Sequence, residues 1–496
     1  MGGNGKKKSA PMDQSERAEI IKQLVAKAQE LDRIVTRPPP GYNALFAEHE
    51  QIRTLLDQMK EEHVKISSTD SIIFGERQRS KASIDKFLVW CKEQNIVLNN
   101  CRLAKLKDGT GLGLLVTKKI QAGELVISVP RNAGLNVDQA RRSPMLKRAF
   151  ERDLVMAKMD NVGMTLWLCC QRMLPDSPWE PYLNVLPSSF SLPLYYSLEE
   201  LKAIRPSPLF EETLLLYRNI SRQFAYYFLH LAKNEEYDRN RKGQETPILY
   251  NSPLSVENFT FNLYLWAMSM VATRLNMIPS EMQTDQDGKP LMIPALMPMF
   301  DMANHSLSAH VNDASPVYYE GNSAQIVAPA SANPTEQFFI YYGDRPSSHF
   351  LLYSGFVPAD DNKKDCYKLR LALPRTDRYF AERTEFFLRH DLTPTAGSYI
   401  IELFNDADNI WGGKPVLQMI KVLVSEGPER EQVDSPANVE KAKKWLEVRL
   451  ACLRRAYEQV NVDSLDIGAE EKKNIKLLHA AEKAILDKAL LAAKSL

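Results

Sequence analysis

From Leu291 to Phe300 the chain is apolar and broken by Pro294 and Pro298, and it runs directly into Asp301, Asn304 and His305. Polar groups delivered into apolar surroundings need hydrogen-bond partners, so any fold must bring partners to this segment. Residues 337–342 (QFFIYY) read as a β-branched and aromatic strand stopped by Gly343, with Arg345 just beyond. A helical pattern over 256–275 ends in Thr273, Arg274 and Asn276 before Pro279. Taken alone, Arg274 fits a basic residue at a helix C-terminus. Together the three segments read as the walls of a cofactor and substrate pocket.

Totals bound the rest. A chain of 496 residues exceeds what one hydrophobic core holds, which predicts two or three domains. Lys+Arg number 63 against 62 Asp+Glu, a formal net charge of +1, so nothing global draws the chain to nucleic acid or an anionic membrane. The 6 cysteines are scattered without a C-x-x-C pair, against a zinc cluster or a disulfide framework, and point to cytosol or nucleus. No run reaches the roughly 18 apolar residues of a membrane span, and the first residues lack an apolar signal core. Met1-Gly2 is followed by Lys6 where myristoylation wants Ser or Thr, and Lys6-Lys7-Lys8 is too short for a nuclear address.

Along the chain, residues 1–15 read as disordered. Ile20, Ile21, Leu24, Val25, Ala28 and Leu31 give a helix over 16–35, ended by Pro38-Pro39-Pro40-Gly41. A second helix is expected over 43–64, and a third from Ser83 with Ile84, Phe87, Leu88 and Cys91 on one face. Short β segments follow at 97–98, 114–116 and 124–130. The loop Gly109-Thr110-Gly111-Leu112-Gly113 among them leads into a strand and a turn, against a dinucleotide fold or P-loop, which need a helix after the glycines. From 137 to 276 the pattern is helical, clearest at 162–174, 219–232 and 256–275. Residues 281–288 read as a turn without the ligands of a calcium loop. A strand near 367–371 precedes a helical remainder, whose last helices are expected at 439–459 and 470–494. For a metal, only Asp301, His305 and His310 offer ligands, and their spacing fits no zinc or non-haem iron pattern; no metal is expected. No Gly-x-Ser-x-Gly elbow is present.

The order Gly111-x-Gly113, Gly123-Glu124-Leu125 before Val129-Pro130, a long helical insert, Asp301-Met302-Ala303-Asn304-His305 and Tyr341-Tyr342-Gly343 resembles the SET-domain protein methyltransferases, in the branch of the Rubisco large-subunit methyltransferase. The resemblance covers residues 80–496. It implies an α+β fold: a SET β-fold with a pseudoknot-like active site, a helical insert within the SET core at about 135–276, and a C-terminal all-α substrate-binding domain. The expected boundaries are an N-terminal tail and helices over 1–80, a catalytic domain over 81–358 and the helical domain over 359–496.

Trp179-Glu180-Pro181-Tyr182, Arg222-Gln223-Phe224-Ala225-Tyr226, Thr273-Arg274-Leu275-Asn276 and Asp301-Met302-x-Asn304-His305 are similar to strings of the actin-histidine methyltransferase family. That resemblance implies S-adenosyl-L-methionine as cofactor, held by Arg79, Thr110, Gly111, Leu112, Arg274, Asp301, Met302, Ala303, Asn304, His305, Ser354, Gly355 and Phe356. It implies Tyr342 and Asn276 as catalytic residues, and Arg222, Phe300, Tyr341 and Arg345 against a protein substrate, actin. A cytoplasmic or nuclear protein is expected from the cysteine usage, and a monomer is expected since nothing in the chain resembles a coiled-coil seam. The chain departs from the family at Leu112 and Phe300, where Phe and Trp are usual, and at Leu275, where a polar residue is usual. The alternative is a lysine methyltransferase acting on a ribosomal, nuclear or histone protein. Asn276 speaks against it, since an amide suits a ring nitrogen better than an alkyl stem. A SET-like module that binds a partner without turnover is the non-enzymatic alternative.

Overall fold

A computed structural model describes residues 13–75, 79–106, 111–241, 243–309, 317–394 and 398–496, with the backbone alone at 317 and 318. The expected tail to residue 12, Thr110 and His310 lie outside the described residues. The first apolar stripe forms the helix Gln14–Val35, burying Ile20, Ile21, Leu24, Ala28 and Leu31. Tyr42–Ile66 and Lys81–Glu93 follow, the latter capped by the Ser80 hydroxyl accepting from the Ser83 N–H at 3.1 Å. The first two helices pack on the 31-residue helix Leu209–Arg239 and share one apolar core with the insert and the sheets. Buried Arg218 of that helix locks the junction, donating to Glu48 Oε1 at 2.6 Å and to the carbonyls of Ile34 at 3.1 Å and Arg37 at 2.6 Å.

Three small sheets surround the insert. Val97–Leu98, Leu125–Pro130, Ser323–Val327 and Val317–Glu320 form one, in that order. Cys101–Lys105, Leu112–Val116, Gln337–Ile340 and Asn304–His305 form the second. Its last pair is parallel, Asn304 opposite Phe339 and His305 opposite Ile340, which draws the polar segment alongside the Tyr341-Tyr342 strand end. Leu135–Asn136, Pro290–Leu296 and Leu275–Thr284 form the third, a hairpin leaving the end of the helix Phe261–Arg274.

Several bounds differ from those read in the sequence. The helix expected over 256–275 starts at Phe261, because the Thr260 hydroxyl caps it by accepting from the Leu263 N–H at 3.1 Å. The segment 281–288 is a turn only from Asp285; its first residues extend a strand, since buried Asp138 accepts from Ser280 Oγ at 3.0 Å and from the Glu281 N–H at 2.7 Å. The C-terminal part closes with the helices Pro436–Ala456 and Ala469–Lys494. It is not helical throughout: Cys366–Ala372 pairs with Ser398–Phe404, because Tyr367, Leu369 and Leu371 meet Tyr399, Ile401 and Leu403 on one buried face. No helix among the described residues is long and apolar enough to cross a membrane.

Candidate functional site

The helix Phe261–Arg274 is buried along almost its whole length and carries Arg274 in its last turn. Arg274 Nη1 donates to the Asp301 carbonyl at 2.5 Å and lies 3.3 Å from Asp301 Oδ2. Tyr182 OH donates to the same carboxylate oxygen at 2.5 Å. Burial pushes the Asp301 carboxyl up, and Arg274, Tyr182 and Arg79 oppose that push. The chain reaches Asp301 through Met299 at φ +74°, a left-handed conformation unusual for a residue with a Cβ, just before the single turn Phe300–Met302. That bend swings Asp301 under Arg274.

Beyond it, Asn304 Nδ2 donates to Gln337 Oε1 at 2.7 Å, near Gly113 of the strand Leu112–Val116 on the other side of Gln337–Ile340. A Cβ at Gly113 would lie 2.6 Å from Leu106 Cδ1, 2.9 Å from Gln337 Oε1 and 3.0 Å from Asn304 Nδ2. Gly113→Ala is therefore expected to displace Asn304 and weaken ligand binding at this site about tenfold, read by titration calorimetry.

His305 Nδ1 accepts from the Tyr342 N–H at 3.1 Å, which puts the proton of the neutral ring on Nε2. The ring stacks on Phe350 at 4.6 Å, with Tyr342 at 5.1 Å and Phe356 at 5.9 Å. Burial holds the imidazole down at about 4, below the usual 6.5. The unfolded ring takes a proton near pH 6.5 and the folded one does not, so this group's contribution to stability is present above pH 6.5 and is lost as pH falls towards 4. An NMR titration is expected to show the His305 ring neutral at pH 5.5; protonation midway near 6.5 would contradict the aromatic cage.

Tyr342 OH donates to the Ala303 carbonyl at 2.8 Å, and burial lifts this phenol to about 12, so it stays protonated. Met302 and Ala303 are buried behind it. The helix Ser347–Ser354 ends in a left-handed Gly355 at φ +80°, which turns the chain so that Phe356 joins the ring cluster. Arg79, itself at φ +53°, donates from Nε to the Val185 carbonyl at 3.0 Å, and its Nη1 passes 2.9 Å from where a Cβ of Gly111 would stand. Gly111, at φ +91°, is thus required both for its backbone and for the space. Burial, with Arg274 next, lowers Arg79 to about 10, which leaves it charged. Four buried polar atoms here have no hydrogen-bond partner among the described residues: Asp301 Oδ1, Arg274 Nε, His305 Nε2 and Ser354 Oγ. Buried polar groups in this state are open to bonding by a polar ligand, ion or water.

Arg274 and Asp301 also line a cavity of ≈ 120 Å³, together with Thr273, Leu275, Asn276, Phe300, Tyr341, Tyr342 and Arg345. Asn276 Nδ2 donates to the Arg274 carbonyl at 3.2 Å, and Tyr341 OH to Asp344 Oδ1 at 2.5 Å. Phe300 is buried at 1% exposure. Arg222 does not line this cavity; it is exposed on the helix Leu209–Arg239. Leu112 is buried at the start of its strand. Tyr182, Gln337 and Phe350 belong to the site although the sequence reading assigned them no role. Tyr182 stands in the string Trp179-Glu180-Pro181-Tyr182 and Gln337 at the start of the aromatic strand, whereas Phe350 carries no local signal.

No family model matches the chain. It is 29% identical over 380 residues to the actin-histidine N-methyltransferases of Homo sapiens and Callithrix jacchus, an alignment that covers 77% of this chain and 59% and 58% of those proteins. The chain thus spans about three fifths of the length of the curated relatives it matches. Among solved structures, the SET domain of LSMT bound to lysine and AdoHcy superposes with a TM-score of 0.63 at 18% identity, covering 84% of this chain and 92% of that one. Rubisco LSMT bound to AdoMet gives 0.58 at 18% identity, covering 83% and 92%. The fold is that of a SET domain with a helical insert and a C-terminal extension.

Proposed function

We propose that this chain is an S-adenosyl-L-methionine-dependent protein-histidine N-methyltransferase that acts on actin. One observation carries the reading: Asn276 and Tyr342 line one narrow cavity together with Arg274 and Asp301, which themselves carry unpartnered buried polar atoms. The likeness to the actin-histidine enzymes supports it.

The residues present fit the cofactor. Arg79 and Arg274 offer cationic groups to a carboxylate, Asp301 and Ser354 offer oxygens to an ammonium or hydroxyl, and Phe356 and His305 offer ring faces and a donor to a purine. When bound there, S-adenosyl-L-methionine supplies an electrophilic methyl group. A neutral histidine, pKa near ~6.5, already has a free ring nitrogen at pH 7, whereas a lysine near ~10.4 must first lose a proton. The protein's task is then alignment, tautomer control and exclusion of water. Asn276 hydrogen-bonds the remote ring nitrogen of the acceptor, Tyr342 orients the ring from the opposite wall, and Phe300 packs on the substrate backbone. Tyr341 and Arg345 line the peptide's entry. In this reading residues 1–80 form a tail and supporting helices, 81–358 the catalytic domain and 359–496 the substrate-binding domain of a monomer of the cytoplasm or nucleus.

The test is equilibrium binding of S-adenosylhomocysteine to the native chain and to Asn304→Leu. The native chain is expected to bind in the range of about 1–10 μM and the variant at least about tenfold more weakly. Absence of binding by the native chain at millimolar ligand would overturn the reading.

A further inference from the structure

The turn that carries Ser354, Gly355 and Phe356 is held by a residue more than a hundred positions away. Asn474, on the last helix Ala469–Lys494, is 1% exposed. Its Oδ1 accepts from the Val357 N–H at 3.0 Å, and its Nδ2 donates to the Gly355 carbonyl at 3.2 Å. These are the peptide groups on either side of Phe356, so one side chain grips both. The pairing leaves the amide a single orientation, because an N–H needs the carboxamide oxygen and a carbonyl needs the NH₂. Gly355 is fixed from its other side as well, its N–H donating to the Leu351 carbonyl at 3.2 Å. Phe356, pinned between, sets its ring 5.4 Å from Phe350 and 5.9 Å from His305. The unpartnered Ser354 Oγ lies two residues before it. Around the clamp Ile475 and Leu478 share an apolar cluster with Leu351, Leu352 and Val357.

We propose that Asn474 is a positioning residue for the cofactor site, making the C-terminal helix a working part of the pocket and not only of the substrate-binding region. This rests on the methyltransferase reading above. An apolar residue at 474 would still fill the space, but the Val357 N–H and the Gly355 carbonyl would be buried without partners, and the turn would find other arrangements. The ordering of Ser354 and Phe356 would then be taken from the free energy of binding.

The experiment compares the native chain with Asn474→Ala, Asn474→Asp and Leu478→Ala. The readouts are calorimetric affinity for S-adenosylhomocysteine, thermal midpoint, and amide hydrogen exchange of Val357 without ligand. Asn474→Ala is expected to weaken binding about tenfold and to expose the Val357 amide, while amides of the helix Phe261–Arg274 keep their protection. Asn474→Asp retains the acceptor for Val357 but loses the donor to Gly355, so it keeps Val357 protected and still weakens binding. It also serves if the alanine variant does not fold. Leu478→Ala removes buried side chain from the same interface, and is expected to lower the thermal midpoint with affinity unchanged to within about twofold. Asn474 variants that lose thermal stability as Leu478→Ala does, with affinity intact, would overturn the inference and leave the methyltransferase reading standing. A native chain that binds no S-adenosylhomocysteine would overturn both.

Discussion

Replacing Asp301 with alanine is expected to destabilise the protein by about 3–5 kcal/mol, read from denaturant unfolding, and to abolish binding at the candidate cofactor site. Asp301 lies with its side chain fully buried between Arg274, itself 15% exposed, and Tyr182, and it is the carboxylate that both of them address. Its removal leaves the Arg274 guanidinium in a low-dielectric pocket with one carbonyl for company and Arg79 as a like charge nearby. The second substitution Arg274→Met, added to Asp301→Ala, is expected to recover a large part of the stability, because it removes the uncompensated charge, yet to recover none of the binding. A single Asp301→Ala variant within about 1 kcal/mol of the native chain would show that the pair contributes as a surface ion pair does.

Asn276→Phe is expected to cut transfer to a histidine by about 100-fold or more, with thermal stability little changed. The Asn276 side chain lines the cavity and, among the described residues, bonds to the Arg274 carbonyl, so little of the fold depends on it. A phenyl ring there removes a group able to bond the remote nitrogen of an imidazole and offers an apolar wall better suited to an alkyl stem. The measurement is single-turnover transfer with the label located by mass spectrometry. Unimpaired histidine transfer by Asn276→Phe would remove the amide from the mechanism.

The parts of the fold legible in the sequence were those written in local pattern. The apolar period of residues 16–35 became the helix Gln14–Val35, and the aromatic run from Gln337 became the strand Gln337–Ile340. The pocket segment was legible for a different reason: Asp301, Asn304 and His305 after an apolar run demand partners, and Arg274, Tyr182, Gln337 and the Tyr342 N–H are what the fold supplies. What stayed hidden depends on contacts between distant segments. The strand Ser398–Phe404 pairs with Cys366–Ala372 across an intervening helix, Phe380–Arg389, and its run Tyr399-Ile400-Ile401 reads equally well as buried helix. Gln337 looks like any polar residue at a strand start, and only the approach of Asn304 gives it a role. Asn474, in a helix rich in Lys and Glu, reads as a solvated position until Gly355 and Val357 are seen against it. The N-terminal helices, set apart in the sequence by their prolines, share the apolar core of the insert.

The most direct test of the account is transfer of a labelled methyl group from S-adenosyl-L-methionine to unmethylated actin by the native chain, with the modified residue identified by mass spectrometry. The account predicts label on an actin histidine at pH 7. Actin left unlabelled, with transfer instead to a lysine of another protein, would contradict it and leave the SET-domain fold without the histidine chemistry proposed for it.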